Sequence, residues 1–70
     1  MACELWHTES DSRIAAFDTR DAALAVVREE VRRFGTGALN GVELLDEQGP
    51  GPMRVIAVGA ELAALALRDA

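Results

Sequence analysis

His7 is the only histidine in a chain of 70 residues, and it stands just before Ser10, Asp11 and Ser12. Together these residues hold the nucleophile, base and carboxylate of acyl-transfer chemistry. That chemistry needs a buried, mutually oriented triad, which neighbours on one hairpin cannot supply. His7 therefore reads as an exposed strand residue beside a polar turn. Cys3, the single cysteine, would share a strand with His7 but lie about 13 Å from it. One Cys and one His also fall short of a four-ligand metal set, so Cys3 reads as a packing residue. The twelve Asp and Glu residues fall mostly in turns, caps and helix surfaces, and no cleft is legible to perturb their pKa. Gly35-Thr36-Gly37 follows a helix, whereas a phosphate-cradling loop precedes one. No enzymatic activity, metal or cofactor is expected.

Arg28, Arg32 and Arg33 form a cationic helix edge and are the candidate anion-binding residues. Glu29 and Glu30 are interleaved with them, and the chain carries a net charge of −5 with no Lys. Wholesale phosphate binding needs clustered positive charge. Trp6 and Phe17 lie on strands, as base-stacking aromatics do in RNA-binding sheets, but lack a cationic surround, so direct contact with nucleic acid is not expected. The apolar fraction of 50% suits a single globular domain and is too high for a disordered chain. Ala- and Arg-rich, Lys-free usage fits a GC-rich bacterial genome. No basic, apolar leader follows Met1 and no apolar run approaches a membrane span; the expected location is the cytoplasm, with no membrane partner.

The elements that must carry these residues come in two similar passes, about 3–35 and 39–69. In the first, a strand over 3–8 turns at Ser10-Asp11-Ser12, where Asp11 or Ser12 can take the left-handed conformation. Arg13 to Asp18 returns, and Thr19 caps a helix from about Arg20 to Phe34. Leu24, Val27, Val31 and Phe34 fall at three- and four-residue steps and predict one apolar stripe. Glu29 and Arg33 stand four apart in the favourable order, and Gly35 closes the helix. In the second pass, Leu39 to Asp46 is a strand weakened by Asn40-Gly41, which is either a bulge or the true strand start. The Gly49-Pro50-Gly51-Pro52 run is a loop, Met53 to Val58 a strand, and Ala60 to Asp69 a helix behind Gly59. The repeat matches Glu4 with Glu43, Leu5 with Leu44, Arg13 with Arg54 and Ala16 with Ala57. The predicted fold class is α+β, ββαββα: a four-stranded, mainly antiparallel sheet with two helices.

A sheet covered on one face alternates apolar and polar residues, yet these strands predict apolar residues on both sides. With a three-residue first turn, Leu5, Ala15, Phe17, Val42, Leu44, Ile56 and Val58 fall on the face assigned to the helices. Trp6, Ile14, Ala16, Leu45, Met53, Val55 and Ala57 fall on the other. Two helices cover one face, and a contiguous apolar patch left in water marks an interface. The candidate interface residues are Trp6, Ile14, Ala16, Leu45, Met53 and Val55. A chain this small is also short of core for its length, and without a disulfide or metal a partner subunit is the remaining support.

Two resemblances bear on this reading. The stretch from Glu4 to Ser10, then Phe17-Asp18-Thr19, Ala22 to Arg28 and the Gly59 to Ala63 tail, resembles small uncharacterised bacterial proteins of hairpin–helix type and implies no known activity. Residues 13–34, a returning strand followed by Asp-Thr and an Ala- and Leu-bearing amphipathic helix, are similar to HicB-type antitoxins. That resemblance covers a third of the chain and implies a protein that neutralises a small RNA-cleaving toxin, often as an oligomer. The expected function is a small non-enzymatic protein-interaction module, a homodimer through the exposed sheet face. The alternative is an antitoxin-like regulator whose acidic surface binds a small basic toxin or another protein.

Overall fold

A computed structural model describes residues 2–47 and 51–68. The elements run β1 (Cys3–His7), β2 (Ser12–Phe17), α1 (Arg20–Phe34), a 3-10 turn (Thr36–Leu39), β3 (Val42–Asp46), β4 (Arg54–Val58) and α2 (Ala60–Arg68). This is the ββαββα order, and the four strands form one antiparallel sheet ordered β2-β1-β3-β4. Gly49 and Pro50 of the Gly49–Pro52 loop, and Asp69, expected to end the second helix, lie outside the described residues.

Local chemistry explains the boundaries. Asp11 takes φ +53 at the tip of the first hairpin, which an Asx side chain tolerates. Thr19, in extended backbone, accepts the Ala22 amide at 3.1 Å and so caps α1. Gly35, at φ +83, ends it, its amide donating to the Val31 carbonyl at 2.8 Å. The chain then tightens into the 3-10 turn, which takes in Leu39, a residue expected to open the third strand. Gly41, at φ +76, stands immediately before β3, so Asn40-Gly41 marks the strand start and not a bulge within it.

Leu5 and Leu44 are cross-strand partners at the centre of the sheet, and the pairing around them reverses about their midpoint. Cys3 faces Asp46 as His7 faces Val42, and Glu4 faces Leu45 as Trp6 faces Glu43. Beyond the ladder, the Thr8 amide donates to Gly41 at 2.8 Å and the Glu47 amide to Ala2 at 2.9 Å. Each contact is the image of the other under the shift that takes Leu5 to Leu44. The two ββα units are thus related by a local two-fold axis through the sheet.

Each outer strand carries a bulge. Leu5 pairs with Ala15 and Trp6 with Arg13, which leaves Ile14 unpaired; Leu44 pairs with Ala57 and Leu45 with Val55, which leaves Ile56 unpaired. The structural equivalents are therefore Ile14 with Ile56 and Ala15 with Ala57, one residue away from the match that aligned Arg13 with Arg54 and Ala16 with Ala57. A bulge inserts one residue and reverses which face the rest of the strand presents. Ala57 accordingly lies in the core, and Val58 pairs with Glu43 on the opposite face.

Both helices cover one face. Ala23, Leu24, Val27 and Val31 of α1 and Leu62, Ala63 and Ala66 of α2 close over Cys3, Leu5, Val42, Leu44, Ala57 and Leu39. The small side chains of Ala23, Ala63 and Ala66, all buried, suit close approach of the two helices. Arg28 reaches from α1 to α2, its Nε donating to the Ala66 carbonyl at 3.0 Å. That carbonyl belongs to the last turn of α2 as described. Phe34 does not join the stripe: it is 68% exposed, because α1 ends there and the chain turns away at Gly35.

Candidate functional site

The sheet face opposite the helices is a grid set by the strand registers. One row reads Ala16, Glu4, Leu45, Val55 across β2, β1, β3 and β4. The next reads Arg13, Trp6, Glu43, Val58. Trp6 and Leu45 are half-buried on this face, while Val55 and Val58 are 48% and 38% exposed.

Glu4 organises one half of the grid. The Trp6 indole Nε1 donates to its Oε1 at 2.8 Å, and Arg13 Nη1 donates to its Oε2 at 3.3 Å. Arg13 is well exposed, so the ion pair adds little stability; its consequence is that the indole is tied back along β1 toward Glu4. The two-fold partner of this cluster is different. Where the first unit has Trp6 and Arg13, the second has Leu45 and Val55, and Glu43 has no polar partner among the described residues.

Of the six candidate interface residues, Trp6, Ala16, Leu45 and Val55 share this face. Met53 is half-buried just before β4, outside the paired ladder. Ile14 goes elsewhere: the bulge turns it to the helix side, where it lines a cleft of about 310 Å³ with Leu5, Ala15, Val26 and Val42. Arg13 occupies the place next to Trp6 instead. The open face is therefore mixed, with Glu4 and Glu43 at two of its four central positions. These carboxylates were legible in the alternation, since Glu4 stands two residues before Trp6 and Glu43 two before Leu45. Arg13 and Val58 were not, because only the bulges bring them there.

The three candidate anion-binding arginines are not assembled into one site. Arg28 is committed to the Ala66 carbonyl, and Arg32 lies 3.8 Å from Glu29. Glu29 thus pairs with Arg32, three residues on, instead of with Arg33, four residues on. At the hairpin tip the Ser12 hydroxyl donates to the Ser10 carbonyl at 3.3 Å, a contact internal to the turn. His7 is exposed at the end of β1, beside an open hollow lined by Glu9, Ser10, Asn40 and Gly41.

Cys3 is buried under the N-terminal end of α1. Its thiol donates to Asp46 Oδ1 at 3.6 Å, and Arg20 Nη2 donates to Oδ2 at 3.2 Å. Burial, and then the negative charge of Asp46, push the thiol's pKa up. Cys3 is protonated at neutral pH and poorly suited to nucleophilic attack. Among the described residues no group of three His, Cys, Asp or Glu side chains could hold a metal ion, and no helix is long and apolar enough to cross a membrane.

The fold and face together define a two-layer α+β protein with a pseudo-two-fold ββα repeat and a sheet surface that no described element covers. No family model matches the chain, and no curated protein or solved structure is significantly similar to it.

Proposed function

We propose that this chain is a small non-enzymatic protein-interaction module whose working surface is the open face of the sheet, and whose partner is a second copy of itself. One observation carries the reading: both helices pack on the same face, leaving Trp6, Leu45, Val55 and Val58 uncovered by any described element. Apolar side chains left together on one open face, here interleaved with Glu4, Glu43 and Arg13, are a mark of a protein contact.

The sheet edges support the face as the contact. Both edge strands carry a bulge, at Ile14 and at Ile56, and bulged edges resist the strand-to-strand pairing that a flat edge invites. The non-enzymatic part rests on the chemistry available: the one thiol is buried and protonated, and the one imidazole stands exposed at a strand end.

The test is solution mass by light scattering across a hundredfold dilution of tag-free protein. A dimer mass is expected for the native sequence, and a monomer with unchanged far-UV circular dichroism for Trp6→Asp. A folded monomer of the native sequence at every concentration would overturn the homodimer.

A further inference from the structure

The row Arg13–Trp6–Glu43 runs straight across β2, β1 and β3 and reads cation, aromatic, anion. Such a row is complementary to its own reverse. We propose that the second copy packs face to face about a two-fold axis lying along β1. Trp6 then meets Trp6 of the second copy, and Arg13 of each chain meets Glu43 of the other. This inference rests on the homodimer reading and specifies its register.

The other arrangements with comparable overlap are disfavoured by the grid. An axis midway between β1 and β3 sets Trp6 on Glu43 and Leu45 on Glu4. An axis along β3 sets Glu43 on Glu43. An axis across the strands that exchanges the two rows sets Trp6 on Glu4 and Leu45 on Glu43. Each of these sets Glu43 against an apolar side chain or its own copy with no cation opposite it, and an unpaired buried charge is costly.

With the axis along β1, the row above places Ala16 over Leu45, a small side chain against a large one. Glu4 faces Glu4 of the second copy across the axis, and each carboxylate is offset by its own Trp6 indole and its own Arg13 guanidinium. Arg13 then bridges Glu4 of its own chain and Glu43 of the second copy, a use suited to a guanidinium with several donors. Aligned sheets stack about 10 Å apart at an angle near −30°, which keeps neighbouring strands over one another across this three-strand width. Strand β4, with Val55 and Val58, lies outside the overlap.

The experiment is a charge exchange read by sedimentation equilibrium. Arg13→Glu alone and Glu43→Arg alone should each weaken the dimer by about tenfold or more, because both symmetric contacts turn repulsive. Mixing the two variants in equal amounts should restore dimerisation, now as the heterodimer, identified by native mass spectrometry. Thermal melts at low concentration check that each variant is folded, and Arg13→Gln and Glu43→Gln serve as milder variants expected to weaken the dimer in the same direction. A native dimer indifferent to these substitutions, or single variants that fail to recover on mixing, would overturn the register while leaving the face intact. A native chain that stays monomeric would overturn the homodimer reading itself.

Discussion

The Cys3 thiol and the Asp46 carboxylate meet across the central strand pair, the thiol donating to Oδ1 at 3.6 Å while Arg20 holds Oδ2. This contact joins β1, β3 and the first turn of α1 beneath the core. Its pH dependence follows from the raised thiol pKa, which comes from burial first and the Asp46 charge second. Above the ordinary thiol pKa the unfolded chain gives up its proton while the folded chain still holds it. The unfolded state then binds fewer protons, so stability falls as pH rises. We expect the contribution to be fully present below the unfolded thiol pKa, about 8.5–9, and lost as pH climbs through the folded value. Thermal melts from pH 7 to 10 should show this decline, and Cys3→Ala should flatten it. A native thiol that reacts with an aromatic disulfide reagent at pH 8 as fast as the denatured chain would contradict the burial argument.

Arg20 and Arg32 make ion pairs of different value. Arg20 reaches a carboxylate whose side chain is only 5% exposed, whereas Arg32 and Glu29 are 70% and 60% exposed. Arg20 is itself nearly half in water, which screens its share. We expect Arg20→Ala to cost about 1–2 kcal/mol, as for a hydrogen bond to a charged group discounted for solvent. Arg32→Ala should stay within about 0.5 kcal/mol. Urea unfolding of both variants gives the comparison, and equal effects would deny Asp46 its special position.

The helix α1 was legible because three local signals agree there: the threonine cap, the spacing of Leu24, Val27 and Val31, and the glycine stop. The general split of the sheet into two faces was legible too, and it placed Trp6, Leu45 and Val55 together. The bulges were not. A bulge is decided by how one strand fits another, and nothing in Arg13-Ile14-Ala15 or Val55-Ile56-Ala57 marks the residue that drops out of the ladder. That single fact moved Ile14 off the open face and brought Arg13 onto it. Phe34 was misread for a related reason: helical spacing says which side a residue faces, but not how far the opposing sheet extends.

The bulge in β4 can be tested directly through neighbouring residues with opposite environments. Ala57 is 5% exposed against Leu44, while Val58 is 38% exposed beside Glu43. Ala57→Leu should overpack the core and cost about 1–3 kcal/mol. Val58→Thr should change stability by no more than about 0.5 kcal/mol. It should also leave the dimer unchanged, since β4 lies outside the proposed overlap. A reversed order of the two stability effects would mean that β4 pairs without the bulge.

The helix junctions differ between the two units, and the difference is measurable. α1 is entered through Asp18 and Thr19, whereas α2 starts directly at Gly59, which takes φ +56. A Cβ at Gly59 would meet the Leu39 carbonyl at 3.8 Å, an ordinary contact. Gly59→Ala should therefore cost only the left-handed conformation, about 1–2 kcal/mol. Thr19→Ala should cost about 1 kcal/mol through the lost cap.

Leu5 and Leu44 sit on the local two-fold axis as direct partners, at 5% and 0% exposure, so their contributions should not be independent. Leu→Ala at either position would cost about 2–5 kcal/mol, much of the stability a small domain has, and would blur the measurement. Leu→Val is the gentler probe, removing one methylene at about 1 kcal/mol. Each single variant leaves a gap that the other leucine borders, so the second substitution removes contacts already weakened by the first. We expect the double variant to be less destabilised than the two singles combined, by about 0.5 kcal/mol or more. Leu5→Val with Leu62→Val provides the comparison, since Leu62 is buried on α2 and is not the strand partner of Leu5. A larger coupling there than across the central pair would mean that the core is organised around the helices, with the Leu5–Leu44 contact secondary.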